Sequence, residues 1–163
     1  MFINTSLYTI IVIEVYYYMY KCIVAGYDGS KSSKVALEKS VELARLCNAY
    51  VYIVTVVPRT TLLVGDFMVP DIRSDERLRE EAMRRLNDIV EEYREKYSVD
   101  KVEGIVRVGD PAEEILNIAR DRGCGLVVVG KRGLGVLERL MVGSVSSKIV
   151  SIAKGVDVLI VSA

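Results

Sequence analysis

From Lys21 onward the chain alternates two hydrophobic patterns: short unbroken apolar runs, and longer stretches in which apolar residues recur every three or four positions. The runs KCIVAGY (21–27), YVYIVTVV (50–57), VEGIVRVG (102–109), GLVVVG (125–130) and VDVLIVS (156–162) predict five strands. Because they are continuous rather than alternating, they suit a parallel sheet covered by helices on both faces. The helical period places Ala36, Leu37, Val41 and Ala44 on the buried side of a first helix, about Ser32 to Cys47. A second, about Ser74 to Tyr97, carries Leu78, Ala82, Leu86, Ile89, Val90, Tyr93 and Tyr97 on one side. The third opens with Asp110-Pro111-Ala112-Glu113, a cap, a proline at the first helical position and an acid, and it stops at Gly123. Its stripe is Ala112, Ile115, Leu116 and Ala119. A fourth, Ser144 to about Lys154, ends at Gly155 and buries Val145, Ile149, Val150 and Ala153. Strands and helices joined by short links imply right-handed crossovers and an α/β fold.

Two segments stand outside this rhythm. VPRTTLLVGDFMVPDIRS, with two prolines and several apolar residues, reads as a long loop at 58–74 that serves as a flap over a ligand or a dimer contact. Residues 2–20 are strongly apolar, with Glu14 as their one charge. The polar Asn4, Thr5, Ser6 and Thr9 leave too short a run for a membrane span, and there is no basic stretch or small-residue cleavage site of a signal peptide. Residues 1–18 are therefore read as an apolar extension, either a start-site artefact with translation from Met19 or an added edge strand or contact arm, and 19–163 as one domain.

Composition narrows the chemistry. Twenty-two basic residues balance 22 acidic ones, so no net field gathers nucleic acid or an anionic membrane. On the second helix Glu80–Arg84, Glu81–Arg85 and Glu92–Lys96 fall at i,i+4, the mark of a solvated face. The three cysteines, Cys22, Cys47 and Cys124, lack metal-ligand spacing and read as small core residues in a reducing cytoplasm. There is no histidine, which excludes Ser-His and Cys-His nucleophile pairs and most zinc sites. The balance shifts from enzyme to binding protein.

The candidate site lies in GKRGLGVLERLMVGS. Gly130 ends a strand, Gly133 follows after two residues, and Gly143-Ser144 follow after nine more, at the start of the last helix. Glycines let backbone approach an anion, and a helix start offers unpaired N–H groups and a positive dipole end. The pattern is neither the Walker loop nor the compact dinucleotide turn. Turn and cap roles without a ligand remain the alternative for these glycines and for Ser144 and Ser146.

With YDGS after the first strand, GDPAEEI before the third helix and G-x2-G-x9-G-S after the fourth strand, residues 19–163 resemble the universal stress protein family, in its ATP-binding branch. The resemblance implies an adenine-nucleotide alpha-hydrolase-like fold with a five-stranded parallel sheet in the order 3-2-1-4-5. Its reversal point lies between strands one and four, where open α/β sheets bind ligands. It implies that Asp28 lies near ribose and adenine with Gly26 and Tyr27 as the adjoining wall. Val56 would read the adenine edge through its backbone, and Val129 would pack near sugar and base. Gly130, Gly133, Gly143, Ser144, Val145 and Ser146 would meet the phosphates, with Lys131 and Arg132 neutralising charge. Asp28 could hold Mg²⁺ through water, or act as a helix cap or turn former. Gly26 stands where some relatives have proline. The implied function is a cytoplasmic ATP-binding regulatory protein of the stress response, homodimeric through its last strand. The alternatives are a slow Mg-dependent ATPase and a nucleotide-free interaction module.

Overall fold

The computed structural model describes residues 19–131 and 143–163. The 1–18 extension and the expected phosphate-loop residues Arg132 and Gly133 lie outside them. The elements are β1 (Cys22–Gly26), α1 (Lys31–Cys47), β2 (Tyr50–Val57), β3 (Thr61–Val64), β4 (Phe67–Pro70), α2 (Ile72–Tyr97), β5 (Val102–Val108), α3 (Pro111–Arg122), β6 (Leu126–Gly130), α4 (Ser144–Ile152) and β7 (Asp157–Val161). The main sheet runs β5-β2-β1-β6-β7, with every neighbouring pair parallel. Counting its strands in chain order, this is the expected 3-2-1-4-5.

Each central strand is buried on both faces, as its unbroken apolar run requires. Ile23 and Ala25 of β1 pack with Leu37 and Val41 of α1 and with Leu86, Val90 and Tyr93 of α2. Val24 points the other way, into Ile115 and Ile118 of α3, Val127 and Val129 of β6 and Ile149 of α4. The sheet therefore separates two cores, one beneath α1 and α2 and one beneath α3 and α4.

Helix ends follow local chemistry. Ser30 caps α1, its hydroxyl accepting from the Ser33 amide at 3.2 Å, and Asp110 caps α3 before Pro111. Both α1 and α2 start slightly earlier than expected, α2 on an Asp71 cap. Val150 of α4 is exposed rather than buried, because the covered stripe of this helix is Ser146 and Ile149, and Val150 sits one position, about 100°, round from Ile149.

Three expectations are corrected. The 58–74 segment is not a structureless loop: β3 and β4 form an antiparallel hairpin, Leu62 opposite Val69 and Leu63 opposite Met68, with Gly65 at φ 61 in the turn. Glycine supplies the positive φ that a two-residue hairpin turn needs. The α2 charges choose other partners than the expected i,i+4 pairs: Arg77 meets Glu81, Arg94 meets Glu91, and Lys96 reaches Glu38 on α1 at 3.2 Å. Finally, Cys22 and Cys124 are joined in a disulfide across a sequence separation of 102, leaving Cys47 as a free, buried thiol. Adjacency of β1 and β6 brings the two sulfurs together, which the distance along the chain concealed. This removes the cysteine argument for a reducing compartment.

Candidate functional site

The strand order reverses between β1 and β6, so their following segments diverge to opposite faces and leave a crevice at the carboxyl ends. β1 leads through Gly26, Tyr27 and Asp28 into α1; β6 ends at Val129 and Gly130. These two edges touch, since a Cβ placed on Gly26 would lie 2.9 Å from Val129 Cγ1 and 3.0 Å from Ile115 Cδ1. Glycine at 26 is thus set by packing, and a larger residue there would have to displace both.

At Asp28 the turn-forming role is present. Its Oδ1 accepts the Ser30 amide at 3.0 Å, and its own amide donates to Ser33 Oγ at 3.4 Å. The helix cap is Ser30, which the sequence reading passed over although it is the serine of YDGS. Asp28 itself is exposed at the crevice edge, and Oδ2 has no hydrogen bond among the described residues. One carboxylate oxygen is therefore left without a protein partner among the described residues. Among the described residues no three His, Cys, Asp or Glu side chains cluster as a metal cage. Tyr27 is half-buried, and that burial, with Glu92 and Asp28 nearby, holds its phenol above the usual range.

Val56 shows how the sheet opens beside this turn. The Tyr27 amide donates to Val54 O at 2.8 Å on the β1 side, and the Gly109 amide donates to Val57 O at 3.0 Å on the β5 side. Backbone groups alternate in direction along a strand, so those of Val56 turn towards β1, one step beyond its end. The Tyr27 carbonyl, which would have continued the ladder, accepts the Thr55 hydroxyl at 2.9 Å instead. The N–H and C=O of Val56 consequently face the crevice with no backbone partner among the described residues. Thr55 was not singled out from the sequence; a hydroxyl beside a strand end is a weak signal on its own.

The other wall is the start of α4. Lys131, half-buried, continues the β6–β7 ladder by donating to Val161 O at 2.7 Å, and its carbonyl accepts the Gly143 amide at 2.7 Å and the Ser146 hydroxyl at 3.1 Å. Ser146 is buried and its hydroxyl also lies 3.0 Å from Gly143 O. Of the four amides at a helix start that have no partner within the helix, that of Gly143 is taken. Those of Ser144, Val145 and Ser146 donate to no described residue, and α4 has no side-chain cap. Ser144 is exposed and Val145 half-buried. Across the helix, Lys148 meets Asp110 Oδ2 at 3.1 Å and Glu113 Oε1 at 2.8 Å, tying α4 to the start of α3. The Glu113 amide, then Lys148, hold the Asp110 carboxyl below its ordinary range.

Gly130 has a role of its own. A Cβ there would fall 2.6 Å from Ser32 Oγ and 2.8 Å from Ser33 N, inside the first turn of α1. The structure thus places Gly26, Tyr27, Asp28, Val56, Val129, Gly130 and Lys131 at or just beyond the carboxyl ends of β1, β2 and β6, with the Gly143–Ser146 stretch hydrogen-bonded to Lys131. Gly26 and Gly130 also answer to packing alone.

Comparison with known proteins agrees with this architecture. The profile described as "Universal stress protein family" matches residues 19–162. Universal stress protein YxiE of Bacillus subtilis is 38% identical over 137 residues, 80% of this chain and 92% of that protein. Among solved structures, the hypothetical protein MJ0577 is similar with a TM-score of 0.70 at 26% identity, covering 89% of this chain and 97% of that one. A universal stress protein in complex with cAMP gives a TM-score of 0.63 at 27% identity, covering 87% of this chain and 97% of the other.

Proposed function

Because the chain belongs to the universal stress protein family, we propose that it is a regulatory stress protein that binds an adenine nucleotide, ATP in the first place, in the crevice between β1 and β6. The observation that carries this reading is the set of three amides at the start of α4 that donate to no described residue, set beside Lys131. Oriented N–H donors at a positive dipole end suit a phosphate chain. The open N–H and C=O of Val56 suit the donor and acceptor of an adenine edge, and a similar structure holds cAMP. Asp28 then stands on the sugar side and accepts a water of accompanying Mg²⁺, and Arg132 and Gly133 complete the phosphate loop. The reading includes a cytoplasmic location, where such nucleotides are made, and a homodimer through the edge of β7. No helix among the described residues is long and apolar enough to cross a membrane.

Isothermal titration with ATP, AMP and cAMP, on wild type and Ser144→Pro, tests it. Proline is tolerated at the first helical position, and Gly143, with φ −59 and ψ 157, already has the extended backbone that precedes a proline. The variant therefore deletes one donor and keeps the helix. Loss of a charge-assisted hydrogen bond predicts affinity weaker by about tenfold or more. Equal affinities, or no heat from either protein, would overturn the proposal.

A further inference from the structure

The β3–β4 hairpin stands apart from both cores. Leu62, Leu63, Val64, Phe67, Met68 and Val69 are 36% to 76% exposed, and every residue of both strands is on the surface. Its root is fixed: Thr60 donates to Asp75 Oδ1 from both amide and hydroxyl at 2.7 Å, and the Asp71 amide donates to Thr60 O at 3.0 Å. These bonds hold the Asp75 carboxyl below its ordinary range. An isolated two-stranded hairpin is marginal in water, and this one carries apolar side chains on both faces.

We propose that this hairpin is a self-association arm, whose occupant is the same hairpin of a second copy of the chain, paired antiparallel through β3. Three observations lead to that occupant. First, the β3 edge is the more complete of the two. The Thr60–Asp71 bond fixes the alternation, so Leu62–Val69 and Val64–Phe67 are the bonded pairs, while Thr61, Leu63, Met68 and Pro70 turn their backbone groups outward. Pro70 has no N–H, which blunts the β4 edge; β3 keeps complete groups at Thr61 and Leu63. A twofold axis through Leu62 sets Thr61 against the partner's Leu63 and Leu63 against the partner's Thr61, closing four backbone hydrogen bonds.

Second, the same register gives charge complementarity. Asp66, the one charge between 61 and 70, sits at the tip, and the exposed Arg59 lies at the root. Antiparallel pairing about Leu62 brings each tip beside the partner's Arg59, so the arm is complementary to itself. Third, apolar side chains stand on the pairing strand itself: Leu62, Leu63 and Val64 are 49%, 70% and 58% exposed, so joining the two β3 edges covers apolar surface as well as backbone. This contact is separate from the β7 edge and does not depend on nucleotide.

Light scattering after size exclusion, with native mass spectrometry, over a dilution series of wild type, Leu62→Lys, Asp66→Lys and Asp66→Lys/Arg59→Glu decides it. Leu62→Lys faces two cations across the axis, and the expected self-association constant is weaker by at least about tenfold with an unchanged thermal midpoint. Asp66→Lys weakens it too, and the charge-swapped double variant restores it. A Leu62→Lys mass equal to wild type at every concentration, or no recovery in the double variant, overturns the proposal. Leu159→Lys reads the β7 contact separately.

Discussion

Gly130 and Ser32 come so close that no side chain fits between them: a Cβ on residue 130 would lie 2.7 Å from the Ser32 carbonyl carbon and 2.6 Å from its hydroxyl oxygen. The end of β6 and the first turn of α1 are in backbone contact, which gives this glycine a structural role before any ligand arrives.

Gly130→Ala is accordingly expected to destabilise the protein by about 1–3 kcal/mol, the usual cost of overpacking. Urea unfolding without nucleotide measures it. A midpoint equal to wild type would mean that α1 yields easily and that the glycine serves the ligand alone.

Asp28→Asn separates the turn from the charge. Asparagine keeps an oxygen to accept the Ser30 amide, so the unfolding midpoint should not move. The gain in ATP affinity that Mg²⁺ brings should shrink, and phosphate release should stay equally slow in both proteins. Release that requires Asp28 would instead favour the slow ATPase.

The Cys22–Cys124 bond closes a loop spanning 102 positions. Its removal, by a dithiol reductant or as Cys22→Ser/Cys124→Ser, is expected to lower stability by about 2–4 kcal/mol through the freed unfolded chain. Denaturant midpoints with and without reductant check this. Free-thiol counts of three in denaturant without reductant would show the bond absent.

Burial, followed by Glu38, pushes the Tyr93 phenol from 10.0 up to about 12. Its folded value lies above its unfolded one, so the unfolded chain releases this proton first as pH rises. The stabilising contribution is complete below pH 10 and is lost as pH climbs through 12. Tyr20 and Tyr27 shift in the same direction. Unfolding free energy measured between pH 9 and 12 should fall, and Tyr93→Phe should reduce the slope; an unaltered slope would remove Tyr93 as a cause.

The hydrophobic rhythm alone was enough for five parallel strands and four helices, because unbroken apolar runs and a 3.6-residue period each admit few arrangements. The start of α4 was legible for the same reason: a glycine-serine pair before an apolar stripe is a local signal. The hairpin was also local, since Gly65-Asp66 between TLLV and FMVP is a two-residue turn signal, but runs apolar on both faces hid the alternation. What depended on the tertiary structure is contact between distant segments. The Cys22–Cys124 pair, the approach of Gly130 to Ser32 and the edge of Val56 that no described residue pairs all follow from β1 lying between β2 and β6 and ending earlier than β2. No spacing along one chain encodes where a neighbouring strand stops.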